Sequence, residues 1–213
     1  IGNGASVSAS NASAFGTGST IWSGATNSYA YGYDSLVYIG AENAIASGTQ
    51  ANALANNSMA IGMQAQTGGA NSIAIGFNAQ TSGTSNNQQS VNSIAVGISS
   101  RANGANSMAY GSMANANGAN AIAFGANSSS NGPNTSASGT NARAIGFNAI
   151  ADGTDAFAEG RNVIAIGTGA KAIGYNTNVM AMGTNGYSEG TNTMALGTDS
   201  YAVGVNITAI GPR

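Results

Sequence analysis

Apolar and polar positions alternate along this chain in a short phrase that keeps returning. NSMAIG begins at Asn57, NSIAIG at Asn71, NSIAVG at Asn92, NSMAYG at Asn106 and NAIAFG at Asn120. A fixed period makes each repeat a small unit stacked on copies of itself. Glycine marks the rhythm. It falls at 16, 24, 32, 40 and 48, a spacing of eight, then at 62, 69, 76 and 83. It returns at every seventh position from Gly97 to Gly174 and again from Gly183 to Gly211. Ala55 and Ser90 occupy two slots where glycine is due, and two extra residues lie between Gly174 and Gly183. The change near Gly48 separates residues 1–48, with eight-residue half-repeats, from residues 49–213, with seven-residue ones. We read both as one continuous solenoid whose coils change size.

A seven-residue period is first tested against a coiled coil. One glycine per heptad costs a helix about 1 kcal/mol each, and Asn, Ser and Thr at most other positions leave no stable helical interior. Collagen needs glycine at every third residue, which is absent. A short strand and a turn in every seven residues fit instead. Glycine supplies the positive φ of a tight corner, and Asn, usually five places before each Gly, is the other common turn former.

Side chains alternate across a strand, so the residues two and four before each Gly share one face. That face is small: Ser72 and Ala74, Ser93 and Ala95, Ser107 and Ala109, Ala121 and Ala123. The other face depends on the half-repeat. It is apolar at Met59, Ile61, Ile73, Ile75, Ile94, Val96, Met108, Tyr110, Ile122 and Phe124, and again at Ile164, Ile166, Met180, Met182, Met194 and Leu196. In the intervening halves it is polar, as at Gln80 and Ser82, Arg101 and Asn103, Asn115 and Asn117, Ser129 and Asn131. Two strands, one of each kind, make a flat 14-residue coil from two half-repeats. The small faces pack inside, the polar sheet meets water, and the aliphatic sheet faces outward. Such a ladder exceeds what a soluble monomer exposes. Burying each Ile, Val, Leu, Met or Phe stabilises by about 1.5 to 3 kcal/mol, so an obligate oligomer is expected, with these sixteen residues at the interface.

Composition narrows the function. Hydrophobic residues make up 42% and charged residues only 6%, which argues against a solvated linker. The net charge of -2, with Arg101, Arg143, Arg161, Lys171 and Arg213 as the cations, gives no basic surface for nucleic acid. Cysteine and histidine are both absent. There is therefore no disulfide framework or thiolate metal site, and acid, base or nucleophilic catalysis has few candidates. The sequence predicts a non-enzymatic protein without cofactors. It holds no long apolar span for membrane insertion, and it begins at Ile1 without Met, as an excised or mature segment would.

Three groups invite a chemical reading. GTGAKAIG, with Gly167, Gly169, Lys171 and Gly174, hints at a phosphate-cradling loop, but its residues fit the repeat and no helical segment follows. Asp152, Asp155 and Glu159, with Glu189 and Asp199 beyond, are hard oxygen ligands; solvated turn charges are the favoured reading, and no metal is expected. The aromatics Phe15, Trp22, Tyr29, Tyr31, Tyr33 and Tyr38 crowd before Gly48. They fill larger coils, cap an open end against edge pairing, or act as recognition anchors. On the last reading Trp22, Tyr29, Tyr31, Tyr33 and Tyr38 are the candidate ligand-binding set. Sequons such as Asn127 to Ser129 are expected in so Asn-rich a chain.

NSIAIGFNAQTSG, NSIAVGISSRANG and NSMAYGSMANANG resemble the head repeats of trimeric autotransporter adhesins, the YadA-like family. The resemblance is specific between Asn57 and Gly125, good from Asn141 to Gly211 and weaker before Gly48. It implies an all-β fold, a left-handed parallel β-roll or β-solenoid, with three chains around an axis as a homotrimer. It also implies display on the outer membrane of a Gram-negative bacterium, anchored through regions not in this sequence. The family's barrel, stalk and neck are not recognisable in this segment. Strong aliphatic phrases stand three half-repeats apart, instead of two, from Gly76 to Gly97, Gly125 to Gly146 and Gly146 to Gly167. These intervals either add a third side or break the alternation. Three functions follow: an adhesin head for host matrix protein or a cell-surface receptor or glycan, a phage-fibre or surface-filament shaft, and an ice-binding face. The last needs a threonine array, and only Thr191 and Thr193 make one Thr-x-Thr.

Overall fold

Asn71 and Gly76 bracket the repeated phrase, and each makes a different corner. Asn71 sits in the left-handed region at φ 55°, and Gly76 has φ 132°. A short amide side chain tolerates the first conformation. A Cβ at Gly76 would stand 2.5 Å from the carbonyl oxygen of Gly97 in the next coil, so only glycine fits. The corners are not uniform, however: Gly69, Gly104 and Gly118 are not among the positive-φ residues. The computed structural model describes residues 2–81, 91–174 and 178–212. Ile1, Ser82, Gly83, Ser90 and Arg213 lie outside the described residues.

The chain divides into two compact units, Ile1–Met113 and Ala114–Arg213. In the first, consecutive strands alternate between two parallel sheets. Ser13–Phe15, Tyr29–Tyr31, Ile45–Ser47, Met59–Ile61, Ile73–Ile75, Ile94–Val96 and Met108–Tyr110 form an aliphatic sheet. Ser6–Val7, Thr20–Ile21, Leu36–Val37, Asn52–Ala53, Gln66–Thr67, Gln80–Thr81 and Arg101–Ala102 form the opposite one. Coil length follows the glycine spacing. Tyr29 pairs with Ile45 and Ile45 with Met59, so the coil shortens from two eight-residue halves to two seven-residue halves at that point. Ile73 pairs with Ile94 and Gln80 with Arg101, so both sheets keep their register across the first long interval.

The second unit repeats the design. Its aliphatic sheet runs through Ile122–Phe124, Ser136–Ser138, Ile150–Asp152, Val163–Ile166, Val179–Met182, Thr193–Leu196 and Thr208–Ile210. The opposite sheet holds Asn115–Ala116, Ser129–Asn131, Arg143–Phe147, Phe157–Arg161, Lys171–Gly174, Tyr187–Thr191 and Tyr201–Val205. Phe124 pairs with Ser138, Ser138 with Asp152 and Asp152 with Ile166, each step being two half-repeats. The two-strand coil therefore persists here, and neither of the later long intervals adds a side. The aliphatic phrase around Ile145 lies on the opposite sheet instead. Val163 pairs with Val179, and this longer coil absorbs the two extra residues before Gly183.

Small residues fill the interior, as their alternation dictates. Ala60, Ala74, Ala95 and Ala109 are fully buried in the first unit, and Ala123, Ala151, Ala165 and Ala181 in the second. Serine is tolerated there because its hydroxyl reaches a turn carbonyl. Ser58 donates to Ala55 O at 2.6 Å, Ser107 to Gly104 O at 2.6 Å and Ser128 to Gly125 O at 2.8 Å. A buried hydroxyl left unpaired would be costly, so the serine beside each corner both fits the thin core and closes the turn. The larger N-terminal coils are filled by Ile21 and Val37, both fully buried, and not by aromatic rings.

Candidate functional site

Two outward surfaces follow from this packing. On the first unit's aliphatic sheet, one column pairs Tyr29 with Ile45, Met59, Ile73, Ile94 and Met108 in turn, and a second pairs Tyr31 with Ser47, Ile61, Ile75, Val96 and Tyr110. None of these hydrophobic side chains is buried: Ile61 and Ile75 are 36% exposed and Tyr110 is 49% exposed. In the second unit, Ile122 and Phe124 are exposed, Ser136 and Ser138 interrupt the columns, and Ile150, Ile164, Met180 and Met194 resume one of them. The other column holds Asp152, Ile166, Met182 and Leu196. A hollow of about 560 Å³ lies along this sheet, lined by Ile150, Ile164, Met180, Met194 and the side of an asparagine row at Asn148, Asn162, Asn178 and Asn192.

Asparagines at the left-handed corners bond to one another. Asn57 donates to Asn71 at 2.9 Å, Asn71 to Asn92 at 3.2 Å and Asn92 to Asn106 at 3.0 Å. In the second unit Asn120 donates to Asn134 at 3.0 Å, Asn134 to Asn148 at 3.2 Å and Asn148 to Asn162 at 3.0 Å. The recurring Asn five places before Gly announces the turn but not this side-chain ladder.

The N-terminal aromatics are all exposed, with Tyr31 at 64% and Trp22 at 50%. They do not form one cluster. Tyr29 and Tyr31 occupy the same columns as Met59 and Ile61, and Phe15 lies beside Tyr31 with ring centroids 5.9 Å apart. Trp22 and Tyr38 follow the buried Ile21 and Val37 on the opposite sheet, where Trp22 N donates to Val37 O at 3.1 Å. Tyr33 lies in a turn.

The second unit's opposite sheet departs most from expectation. The half-repeats up to Asn131 predict a polar face, yet beyond that residue the sheet carries aromatic and cationic side chains in register. Arg143 lies over Phe157, with its guanidinium carbon 5.4 Å from the ring centroid. Lys171 Nζ stands 5.7 Å from the same ring and 5.5 Å from that of Tyr187. Tyr187 stacks on Tyr201 at 5.1 Å and 12° and donates its hydroxyl to Glu189. Arg161 covers Phe147 at 5.4 Å, and a hollow of about 600 Å³ opens beside them, lined by Ile145, Phe147, Glu159 and Arg161. The signal is present in the sequence as Arg143, Phe157, Lys171, Tyr187 and Tyr201, at intervals equal to the coil length. The denser aromatics before Gly48 overshadow it.

Other candidate chemistry disperses. Lys171 stands on a strand, with its ammonium among rings and not in a phosphate loop. Asp152 points out of the aliphatic sheet, Asp155 takes a corner and accepts from Asn141 at 2.9 Å, and Glu159 lies on the opposite sheet. Among the described residues no three carboxylates converge on a metal position. Thr193 is buried and accepts from Ser188 at 2.9 Å, so Thr191 and Thr193 do not make a surface array. No described helix is long and apolar enough to cross a membrane.

Parallel coils with a small-residue core, glycine and asparagine corners and an outward aliphatic ladder fit the repeat array of a non-enzymatic, adhesin-like surface protein. The YadA head domain repeat matches residues 40–65, 68–85, 89–114, 102–128, 116–142, 137–162, 144–170 and 188–213, and the chain belongs to that family. Members of the family are surface-associated and non-catalytic. No curated protein matches the chain.

Proposed function

We propose that three copies of this chain associate through their aliphatic sheets into a trimeric head with left-handed coils. The head is displayed extracellularly on a bacterial cell, held to the outer membrane through regions outside this sequence, and binds host matrix protein or a cell-surface receptor or glycan. One observation carries the reading: Met59, Ile73, Ile94 and Met108 stand in one unbroken column on a sheet that the chain's own fold leaves uncovered. Apolar surface gains nothing by facing water, and each side chain removed from it contributes about 1.5 to 3 kcal/mol before the cost of association. Covering the ladder with its own copies buries the successive apolar pairs together, because Met59, Ile73, Ile94 and Met108 stand in register on one face. Three displayed copies then bind multivalently, converting weak single contacts into strong attachment.

Sedimentation equilibrium or native mass measurement tests the assembly. A trimeric mass is expected, and Ile73→Asn with Ile75→Asn dissociates it, whereas Gln66→Ala with Gln80→Ala does not. A well-folded monomer at micromolar concentration, or equal effects of the two pairs, would overturn the interface. Adherence of the purified assembly to cultured cell layers tests the adhesin role.

A further inference from the structure

The geometry points to a binding strip for a linear sulfated polysaccharide on the second unit's opposite sheet, running across the coils from Arg143 to Tyr201. This deepens the adhesin reading and rests on it, because the strip is free only if the aliphatic sheet is the one covered by other copies.

Charge is the first argument. The whole sequence has five cations, and Arg143, Arg161 and Lys171 stand on this one sheet. Ring faces hold their charged ends: Phe157 lies between Arg143 and Lys171, and Phe147 lies under Arg161. An aromatic ring is negative on its face and positive at its edge. The cations occupy the negative faces, so the stack turns positive ring edges and N–H donors to solvent. A strip built this way favours anions although the chain as a whole carries a charge of -2.

Spacing is the second. Arg143 and Lys171 are two coils apart, about 9.5 Å at the usual distance between strands, and Arg161 lies further along the sheet, beyond the positive-φ Gly160. Fixed separations of this size suit a polymer with anionic groups at regular intervals. The neighbouring column selects the polymer. It carries Glu159 and Glu189 in register with Ile145, Ile173 and Val203. Glu189 is held by the Tyr187 hydroxyl, while Glu159 offers an acceptor to sugar hydroxyls, donors that a phosphate backbone supplies in smaller number. Arginine's planar fork matches the oxygens of a sulfate ester, and lysine adds a point charge.

The test immobilises heparin, hyaluronate and neutral dextran and measures binding of the intact assembly. Heparin is expected to bind, with hyaluronate weaker and dextran silent, and added salt weakens the heparin complex. Replacing both Arg143 and Lys171 by Gln lowers heparin affinity about tenfold or more, as expected for loss of charge-assisted contacts. Arg101→Gln, a cation on the first unit without such a ring stack, leaves it unchanged. Circular dichroism and native mass confirm that each variant remains folded and assembled; if the double variant does not, Lys171→Gln alone is used, with a several-fold loss expected. Equal binding to hyaluronate, equal competition by duplex DNA, or heparin binding indifferent to these substitutions overturns the inference. If heparin does not bind while the assembly still adheres to cell layers, the polysaccharide strip falls and the adhesin reading stands. Loss of both overturns the two together.

Discussion

The side-chain amide of Asn71 donates to that of Asn92 at 3.2 Å, joining neighbouring coils across a step of 21 residues. The contact lies within the asparagine row that runs from Asn27 through Asn43 and Asn57 to Asn106. Just inside it, the Ser72 and Ser93 hydroxyls meet at 3.2 Å. The interval therefore leaves both the corner row and the inner face in register.

Asn92→Ala removes two amide contacts and places a side chain without local hydrogen bonding at φ 56°. The expected loss is about 1 to 3 kcal/mol. Asn92→Gly keeps the backbone comfortable and loses less. Thermal unfolding followed by circular dichroism ranks the two, and an equal loss would mean that the corner conformation contributes nothing.

Gly76→Ala and Gly40→Ala separate conformation from space. Both positions have positive φ, but a Cβ at Gly40 meets nothing within 4 Å, whereas one at Gly76 runs into the Gly97 backbone. Gly40→Ala is expected to cost about 1 to 2 kcal/mol. Gly76→Ala should cost more than about 4 kcal/mol or prevent folding. Expression yield and denaturant midpoints give the comparison.

Ala95 is fully buried between Ala74 and Ala109 of adjacent coils. Ala95→Ile adds three carbons to a space sized for a methyl group and should cost about 1 to 3 kcal/mol or more by overpacking. Gln66→Ile places the same side chain on a half-buried, outward strand position, and its effect should stay within about 0.5 kcal/mol. Urea titration distinguishes them.

The exposed aromatics divide by sheet, and so should their effects. Tyr29→Ala with Tyr31→Ala weakens self-association, because these residues stand in the columns of Met59 and Ile61. Trp22→Ala with Tyr38→Ala leaves the mass unchanged and lowers adherence to cell layers. Analytical ultracentrifugation and a cell-binding assay check the two arms. A common effect of both pairs would mean that the N-terminal aromatics form a single surface.

The parallel coil is legible because a strand period of two and a glycine period of seven or eight assign every side chain to a face. Ser72 and Ala74 inside, with Ile73 and Ile75 outside, need no tertiary knowledge. What escapes depends on which sheet a phrase falls on. The phrase around Ile145 looks like the one around Ile122, yet it sits on the opposite sheet, an odd number of half-repeats further on. The same spacing between Ile73 and Ile94 leaves both on one sheet, so spacing alone does not decide. The cationic and aromatic strip escapes for a related reason. Its members are ordinary residues taken singly, and they meet only once the coil length brings successive strands of one sheet together. The isolated Thr-x-Thr pair makes no array, because Thr191 ends one strand and Thr193 begins the next.

Pairing by whole coils also sets how this protein can lengthen or shorten. Gain or loss of one coil, the step from Met59 to Ile73, changes its reach by about 4.8 Å and leaves every face where it was. Gain or loss of a single strand that itself joins a sheet would exchange the two faces of everything that follows. Reach is thus adjustable in small, safe increments, while the arrangement of its surfaces is protected by parity.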